Sequence, residues 1–287
     1  MASARPIPRD YLPSDGLPVF AARGAPADRS APRSAPVTHD YAAVLFLTGG
    51  RSRVELNGEW KLSEGDALLV PAGQAHRMLE MQRSEYWGLG FRASCFVAEG
   101  TAALFEPLER VREGASAVVQ VPAARHGFLD GLFQELQRLS DERGAPSEAL
   151  YAVRKSLLTL ILAEIERAAA PMEPSGAGGG VVAQALRYIE RHCLRRLTPA
   201  DVAAAVGRSP AYVTTALTQA TGRSAGDWIV SGRMAEARRL LLYSDEMVDV
   251  IAERVGYADA THFIRMFRRA HGATPAAWRA ARMHASK

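Results

Sequence analysis

The spacing of hydrophobic and polar positions changes character along this chain. From Leu17 to about Phe91 the apolar residues come in short runs: LPVFAAR, AAVLFLT, SRVEL, EWKL, DALLVP, HRMLEMQ and YWGLGF. Short apolar or alternating runs predict strands. Gly49-Gly50, Asn57-Gly58, Ser63-Glu64-Gly65 and Ala72-Gly73 punctuate them and are expected as turns. Asn57-Gly58, between VEL and EWKL, predicts a two-residue hairpin. Many short strands at this spacing point to a small all-β barrel or jelly roll.

The period then becomes helical. Helices are expected over roughly 125–143 and 147–169. In the second, Leu150, Val153, Leu157 and Ile161 form one stripe, while Leu158, Leu162 and Ile165 begin another. That breadth predicts two buried contacts, one with the strand domain and one with a second copy of the chain, so a homodimer through 147–169 is expected. PMEPSGAGGG at 171–180 reads as a flexible linker, which implies few contacts between the parts it joins. Residues 1–16, rich in Pro, Ala and Arg, are expected to be a mobile arm. The expected organisation is therefore an arm at 1–16, an effector-binding and dimerisation domain at 17–170, the linker, and an all-α domain at 181–287.

That last part contains a repeat. Val202-Ala203 and Val206-Gly207 return as Ile251-Ala252 and Val255-Gly256, and Val213, Leu217 and Gly222 return as Phe263, Phe267 and Gly272. Each copy reads as helix, glycine turn, helix, which is the helix-turn-helix plan. Thr198-Pro199, Ser209-Pro210 and Thr274-Pro275 are expected N-cap pairs, and Asp259 a further cap. Residues 224–244 can form one long helix between the copies. In the last copy, at 100° per residue, Phe263, Met266, Phe267 and Ala270 fall on one side. Thr261, Ile264, Arg265 and Arg268 fall opposite, with His262 and Arg269 at the flank.

Charge sharpens this picture. Residues 181–287 hold sixteen Lys+Arg against nine Asp+Glu, a net +7, while 1–180 hold nineteen against twenty-two, a net −3. A basic segment on a mildly acidic remainder suggests a polyanion partner. No apolar run reaches the ~20 residues of a membrane span, and the N-terminus has no apolar signal core. Cys95 and Cys193 are isolated and read as thiols in a reducing compartment, so the chain is expected in the cytoplasm.

RMAEARRLLLYSDEMVDVIAERVGYADATHFIRMFRRAHGATPAAWR resembles the signature region of the AraC/XylS family of bacterial transcription regulators, and the resemblance covers about 181–282. It implies two helix-turn-helix units on a linking helix, each placing its second helix in a major groove of double-stranded DNA. Thr261, Ile264, Arg265, Arg268 and Arg269 would then face DNA, Arg265 able to fork onto guanine and Ile264 to meet a thymine methyl. The corresponding residues of the first unit are Ala211, Thr214, Thr215, Thr218 and Gln219. The family usually has basic residues at the positions of Thr215 and Thr218, and this chain does not. The resemblance leaves RNA polymerase as a further contact.

GDALLVPAGQAHRMLE, with Gly65, Pro71, Gly73 and His76, resembles the second cupin motif, and the polar residue that usually follows is Glu80. Counting back from Gly50 puts the first motif's two His and Glu at Val37, His39 and Ala43, of which only His39 is a ligand type. Two imidazoles without the carboxylate make a poor metal site, so neither metal nor cofactor is expected. His39 and His76 are candidates for lining an effector pocket, or else are satisfied core histidines. Trp60, Tyr86 and Trp87 are further wall candidates. Arg125, His126 and His271 stand isolated, and no nucleophile–base arrangement or phosphate loop appears. The reading is a two-domain transcription regulator, not an enzyme, with a cupin-like jelly roll ahead of a double helix-turn-helix and tuned by a small molecule. A ligand-independent regulator controlled by a partner protein or by abundance is the alternative, ahead of a cupin-type metal enzyme fused to a DNA-binding domain.

Overall fold

The apolar runs pair into fewer and longer strands than their punctuation suggests. A computed structural model describes residues 7–8, 19–29, 35–96, 102–141, 147–169 and 180–284. Its strands are β1 (Ile7–Pro8), β2 (Val19–Arg29), β3 (Val37–Thr38), β4 (Ala42–Glu55), β5 (Glu59–Ser63), β6 (Asp66–Val70), β7 (Arg77–Phe91) and β8 (Val118–Gln120). Strands β2, β7, β4, β6 and β8 lie side by side in that order, all antiparallel, and β5 folds back on β4. Thus AAVLFLT and SRVEL are one strand, as are HRMLEMQ and YWGLGF.

Gly49-Gly50 is accordingly not a turn. The β4–β7 register shifts on both sides of Gly49, and Gly50 takes φ +74. A Cβ there would run into the backbone carbonyls of Gln82 and Arg83 on β7. The pair forms a bulge, which bends the sheet without ending it. At Asn57-Gly58 the hairpin is present, but Glu55 pairs with Glu59, so its loop has three residues, with Asn57 at φ 50 and Gly58 at φ 146. Ile7–Pro8, inside the expected arm, pairs in parallel with Val37–Thr38. The rest of 1–16, and residues 171–179 of the expected linker, lie outside the described residues.

Helices α1 (Glu106–Arg112), α2 (Ala123–Asp141) and α3 (Glu148–Ala169) cover the sheet. Leu158, Ile161, Leu162 and Ile165 of α3 join Phe46, Trp87, Leu89 and Phe133 in one core. Ile161 is therefore not on the expected outer stripe. Val153 and Leu160 are the half-exposed pair, at 47% and 46%.

The rest is helical: α4 (Val181–His192), α5 (Pro199–Ala205), α6 (Pro210–Thr221), α7 (Ala225–Tyr243), α8 (Val248–Arg254), α9 (Ala260–His271) and α10 (Pro275–His284). Two small cores form around α7. One holds Leu186, Val202, Val213, Leu217 and Trp228, and the other holds Leu241, Ile251, Phe263, Phe267 and Trp278.

The expectation of few contacts across the linker is wrong. Arg112 donates to both oxygens of Glu190 on α4, and Arg187 of α4 donates to Glu109 and Glu113. Ala72 sits inside the first small core, and a Cβ at Gly73 would press on Leu186 and Trp228. Farther along α7, buried Arg154 of α3 donates to the Tyr243 hydroxyl at 2.6 Å, and Arg239 lies over the Tyr151 ring. Flexible composition reports on the linker alone, while apolar and ionic surfaces on either side decide whether the parts dock.

Candidate nucleic-acid interface and internal cavity

Each unit starts from its caps. The Thr198 hydroxyl accepts the Asp201 N–H while the Asp201 carboxylate accepts the Thr198 N–H, closing a capping box on α5. Ser209 caps α6, Ser224 caps α7 with Asp227 in a second box, and the Asp259 carboxylate accepts the Thr261 and His262 N–H groups of α9. Those two N–H bonds hold the Asp259 carboxyl below its ordinary range. Gly222 and Gly272 close α6 and α9 at φ +77 and +74. The repeat read from the sequence is thus a repeat of geometry.

On α9, Phe263 and Phe267 are buried, while Thr261, Arg265, Arg268 and Arg269 are exposed. Ile264 is half-buried and packs partly on the core, so it offers less surface than expected. Ala270, expected inside, is exposed. On α6, Ala211, Thr215 and Gln219 are exposed and Thr214 and Thr218 half-buried. Tyr212, 52% exposed beside Ala211 and Thr215, was not singled out from sequence. Its signal was available, because it is an aromatic residue off the apolar stripe of Val213 and Leu217.

The arginines of the helical region divide by use. Arg233 donates to the Cys193, Arg195 and Leu197 carbonyls, Arg239 is paired with Glu236, and Arg279 holds carbonyls at the end of α7. Among the described residues no ion pair or side-chain hydrogen bond engages Arg265, Arg268 or Arg269. Three guanidinium groups on one face, with no acid beside them, form a basic surface open to a polyanion.

Inside the sheet lies a cavity of about 290 Å³ lined by His39, Tyr41, Tyr86, His76, Met78 and apolar residues. The two imidazoles meet edge to face at 4.9 Å, and His39 stacks on Tyr41 at 4.1 Å. Burial, and then the neighbouring His76, push the His39 imidazolium down to about 3, so that ring is neutral at neutral pH. Among the described residues no group of three His, Cys, Asp or Glu side chains is placed to hold a metal. Trp87 and Trp60 do not line the cavity; Trp87 donates to Asp130, and Trp60 to the Leu56 carbonyl. Arg125 pairs with Glu164, and His126 meets the Val121 carbonyl. His271 is wedged between Phe267 and Trp278. Both cysteines are buried thiols.

Two helix-turn-helix units on one connecting helix, with their second helices outward, define a class of double helix-turn-helix proteins. Residues 202–281 match the family model described as a helix-turn-helix domain. The regulatory protein PocR of Salmonella typhimurium is 35% identical over 96 residues, which is 33% of this chain and 32% of PocR, so the chain spans about a third of that relative. The uncharacterised HTH-type transcriptional regulator YobQ of Bacillus subtilis is 25% identical over 84% of this chain and 87% of its own. The C-terminal domain of AraT, a response regulator from Geobacillus stearothermophilus, is 34% identical over 37% of this chain and 88% of its own, at a TM-score of 0.36. The helical region thus carries a helix-turn-helix domain of the AraC type, similar to those of HTH-type transcription regulators. No described helix is long and apolar enough to cross a membrane.

Proposed function

We propose that this chain is a sequence-specific DNA-binding transcription regulator that works in the cytoplasm. The observation that carries the reading is the outward face of α9, where Arg265, Arg268 and Arg269 engage no protein partner among the described residues. Arg265, mid-helix, is the base reader, and Arg268 and Arg269 hold phosphate. Ala211, Thr214, Thr215, Thr218 and Gln219 of α6 supply a weaker second contact through methyl and hydroxyl groups. Selection of bound duplexes from a random pool by the purified protein should enrich two short half-sites about one helical turn apart. Enrichment of no sequence, or of one half-site only, overturns the double reading.

The sheet region acts as a cupin-like sensor. A cavity of about 290 Å³ with two imidazoles at its wall favours a small-molecule effector over control by a partner protein or by abundance. A metal-dependent enzyme would need a ligand set beyond His39 and His76. Two copies pair through the outer side of α3, where Val153 and Leu160 stand out with Leu157 between them. RNA polymerase is a further partner of the DNA-bound form.

A further inference from the structure

Residues 37–41 run between the cavity and the helical region, and their side chains alternate. Val37, His39 and Tyr41 line the cavity. Thr38 and Asp40 face the other way. The Thr38 hydroxyl donates to the Thr221 carbonyl at the end of α6, at 2.8 Å. The Asp40 carboxylate, on a side chain 3% exposed, accepts from Arg92 at 2.7 Å and from the Ser231 hydroxyl of α7, with Arg223 at 3.6 Å. Arg92 also donates to Ser231, at 2.9 Å. Val37 and Thr38 in β3 send their side chains to opposite faces, and the chain bends at Asp40 and Tyr41, so one short segment touches both compartments. Its backbone is pinned: Val37 and His76 exchange two hydrogen bonds, and Gly73 donates to the His39 carbonyl.

The cavity wall constrains what can bind. Among the described residues no Asp, Glu, Lys or Arg lines it. A charged ligand would enter without a counter-charge, which is costly in an apolar enclosure. The His39 Nδ1 lies 2.5 Å from the Tyr41 carbonyl oxygen. A carbonyl only accepts, so Nδ1 carries the proton, and the neutral ring offers Nε2 as an acceptor. Its complement is an uncharged donor, a hydroxyl or N–H on an apolar body. At the ≈ 30 Å³ that a water occupies in the liquid, the cavity holds about ten non-hydrogen atoms.

We propose that residues 37–41 are the coupling element of this protein: an uncharged hydrogen-bond donor bound at His39 stiffens the segment whose other face holds α6 and α7, and so favours the docked arrangement. The proposal rests on the effector reading of the cavity. A donor at Nε2 polarises the ring and strengthens the Nδ1–H bond to Tyr41, which spans Asp40. The docked form already contains the cavity, so a ligand that fits it shifts the population toward docking.

The test uses full-length protein and three probes of nearly one shape: 2-naphthol, naphthalene and the anion 2-naphthoate. By calorimetry 2-naphthol should bind about tenfold tighter than either other probe, the value of one added hydrogen bond. It should also slow amide exchange over 225–233 by roughly fivefold, as coupled sites do. Thr38→Val combined with Ser231→Ala removes cross-domain hydrogen bonds without unpairing a charge. That variant should keep 2-naphthol affinity within about threefold, since neither residue lines the cavity, and should lose the slowing. Naphthalene binding as tightly as 2-naphthol overturns the donor assignment and leaves the cavity reading standing. Binding by none of the three overturns the cavity reading itself. Slowing that survives in the double variant overturns the coupling role of this segment.

Discussion

Arg112 donates two hydrogen bonds, at 2.8 and 2.6 Å, to the Glu190 carboxylate, tying the helix that covers the sheet to the first helix of the helical region. The Arg112 side chain is 4% exposed and also reaches Glu109 at 2.8 Å. Burial opposes the charged guanidinium, but Glu190, and with it Glu109, outweighs that cost and raises the Arg112 pKa above its ordinary value. Arg112 is buried and its partner Glu190 is 20% exposed, so Arg112→Ala strands a partly solvated charge and should destabilise the protein by roughly 2 kcal/mol. Lysine cannot reproduce the fork and should recover only part of that. Chemical denaturation of the three proteins measures the difference. A loss under about 1 kcal/mol, the scale of a surface pair, would show that the docked arrangement does not depend on this contact.

Acid should loosen the same fold through His39. Its folded pKa, about 3, lies below the unfolded value of 6.5, chiefly because burial opposes the charged ring. Between those values the unfolded chain holds a proton that the native chain does not. Stability is therefore complete above pH 6.5 and falls as pH falls towards 3. From pH 7 to pH 5 the loss from this one group is about 2 kcal/mol. His271, lowered to about 4 by burial and then by Arg238, adds in the same direction. Asp40, held at about 2 chiefly by the charge of Arg92 against the cost of burial, contributes only below pH 4. His39→Gln should flatten the stability profile between pH 7 and 5. An unchanged slope would mean that His39 is protonated in the folded state.

The outer side of α3 separates two roles. Val153 and Leu160 are half-exposed, whereas Ile161 is fully buried. Val153→Asp with Leu160→Asp should shift the protein from dimer to monomer in sedimentation with its melting temperature nearly unchanged. Ile161→Asp, which places a charge in the core, should prevent folding. A double variant that remains dimeric places the interface elsewhere.

Much of the double helix-turn-helix was readable because its cues are local. Ser209-Pro210 and Asp259 fix helix starts, Gly222 and Gly272 fix ends, and Phe263 and Phe267 mark an inner face within one helix. The sheet was legible in its runs but not in its strands. Gly49-Gly50 looks like a turn, and only the neighbouring backbone of Gln82 and Arg83 makes it a bulge. The cavity was foreshadowed by His39, His76 and Tyr86, yet its apolar wall depends on Leu45 of β4 and Leu68 and Val70 of β6 being brought beside them by strand pairing. Docking was the least legible. Thr38, Asp40, Arg112 and Arg187 look like ordinary surface residues, and their partners lie between 74 and 191 positions away.

Arg265 and Thr215 hold equivalent places on α9 and α6, both exposed, one a guanidinium and the other a hydroxyl. If α9 is the principal reader, Arg265→Ala should cost ~1–3 kcal/mol on the specific site and relax base preference at one position. Arg269→Ala, at the flank, should weaken specific and random duplexes alike and lower the slope of log affinity against log salt by about one. Thr215→Ala removes a hydroxyl and a methyl and should cost less than either. Titrations of the three variants on a selected site and on its scrambled form, at several salt concentrations, separate these effects. A Thr215→Ala variant more damaging than Arg265→Ala would move the reading to α6. The unpaired arginines of α9 would then serve only to hold phosphate.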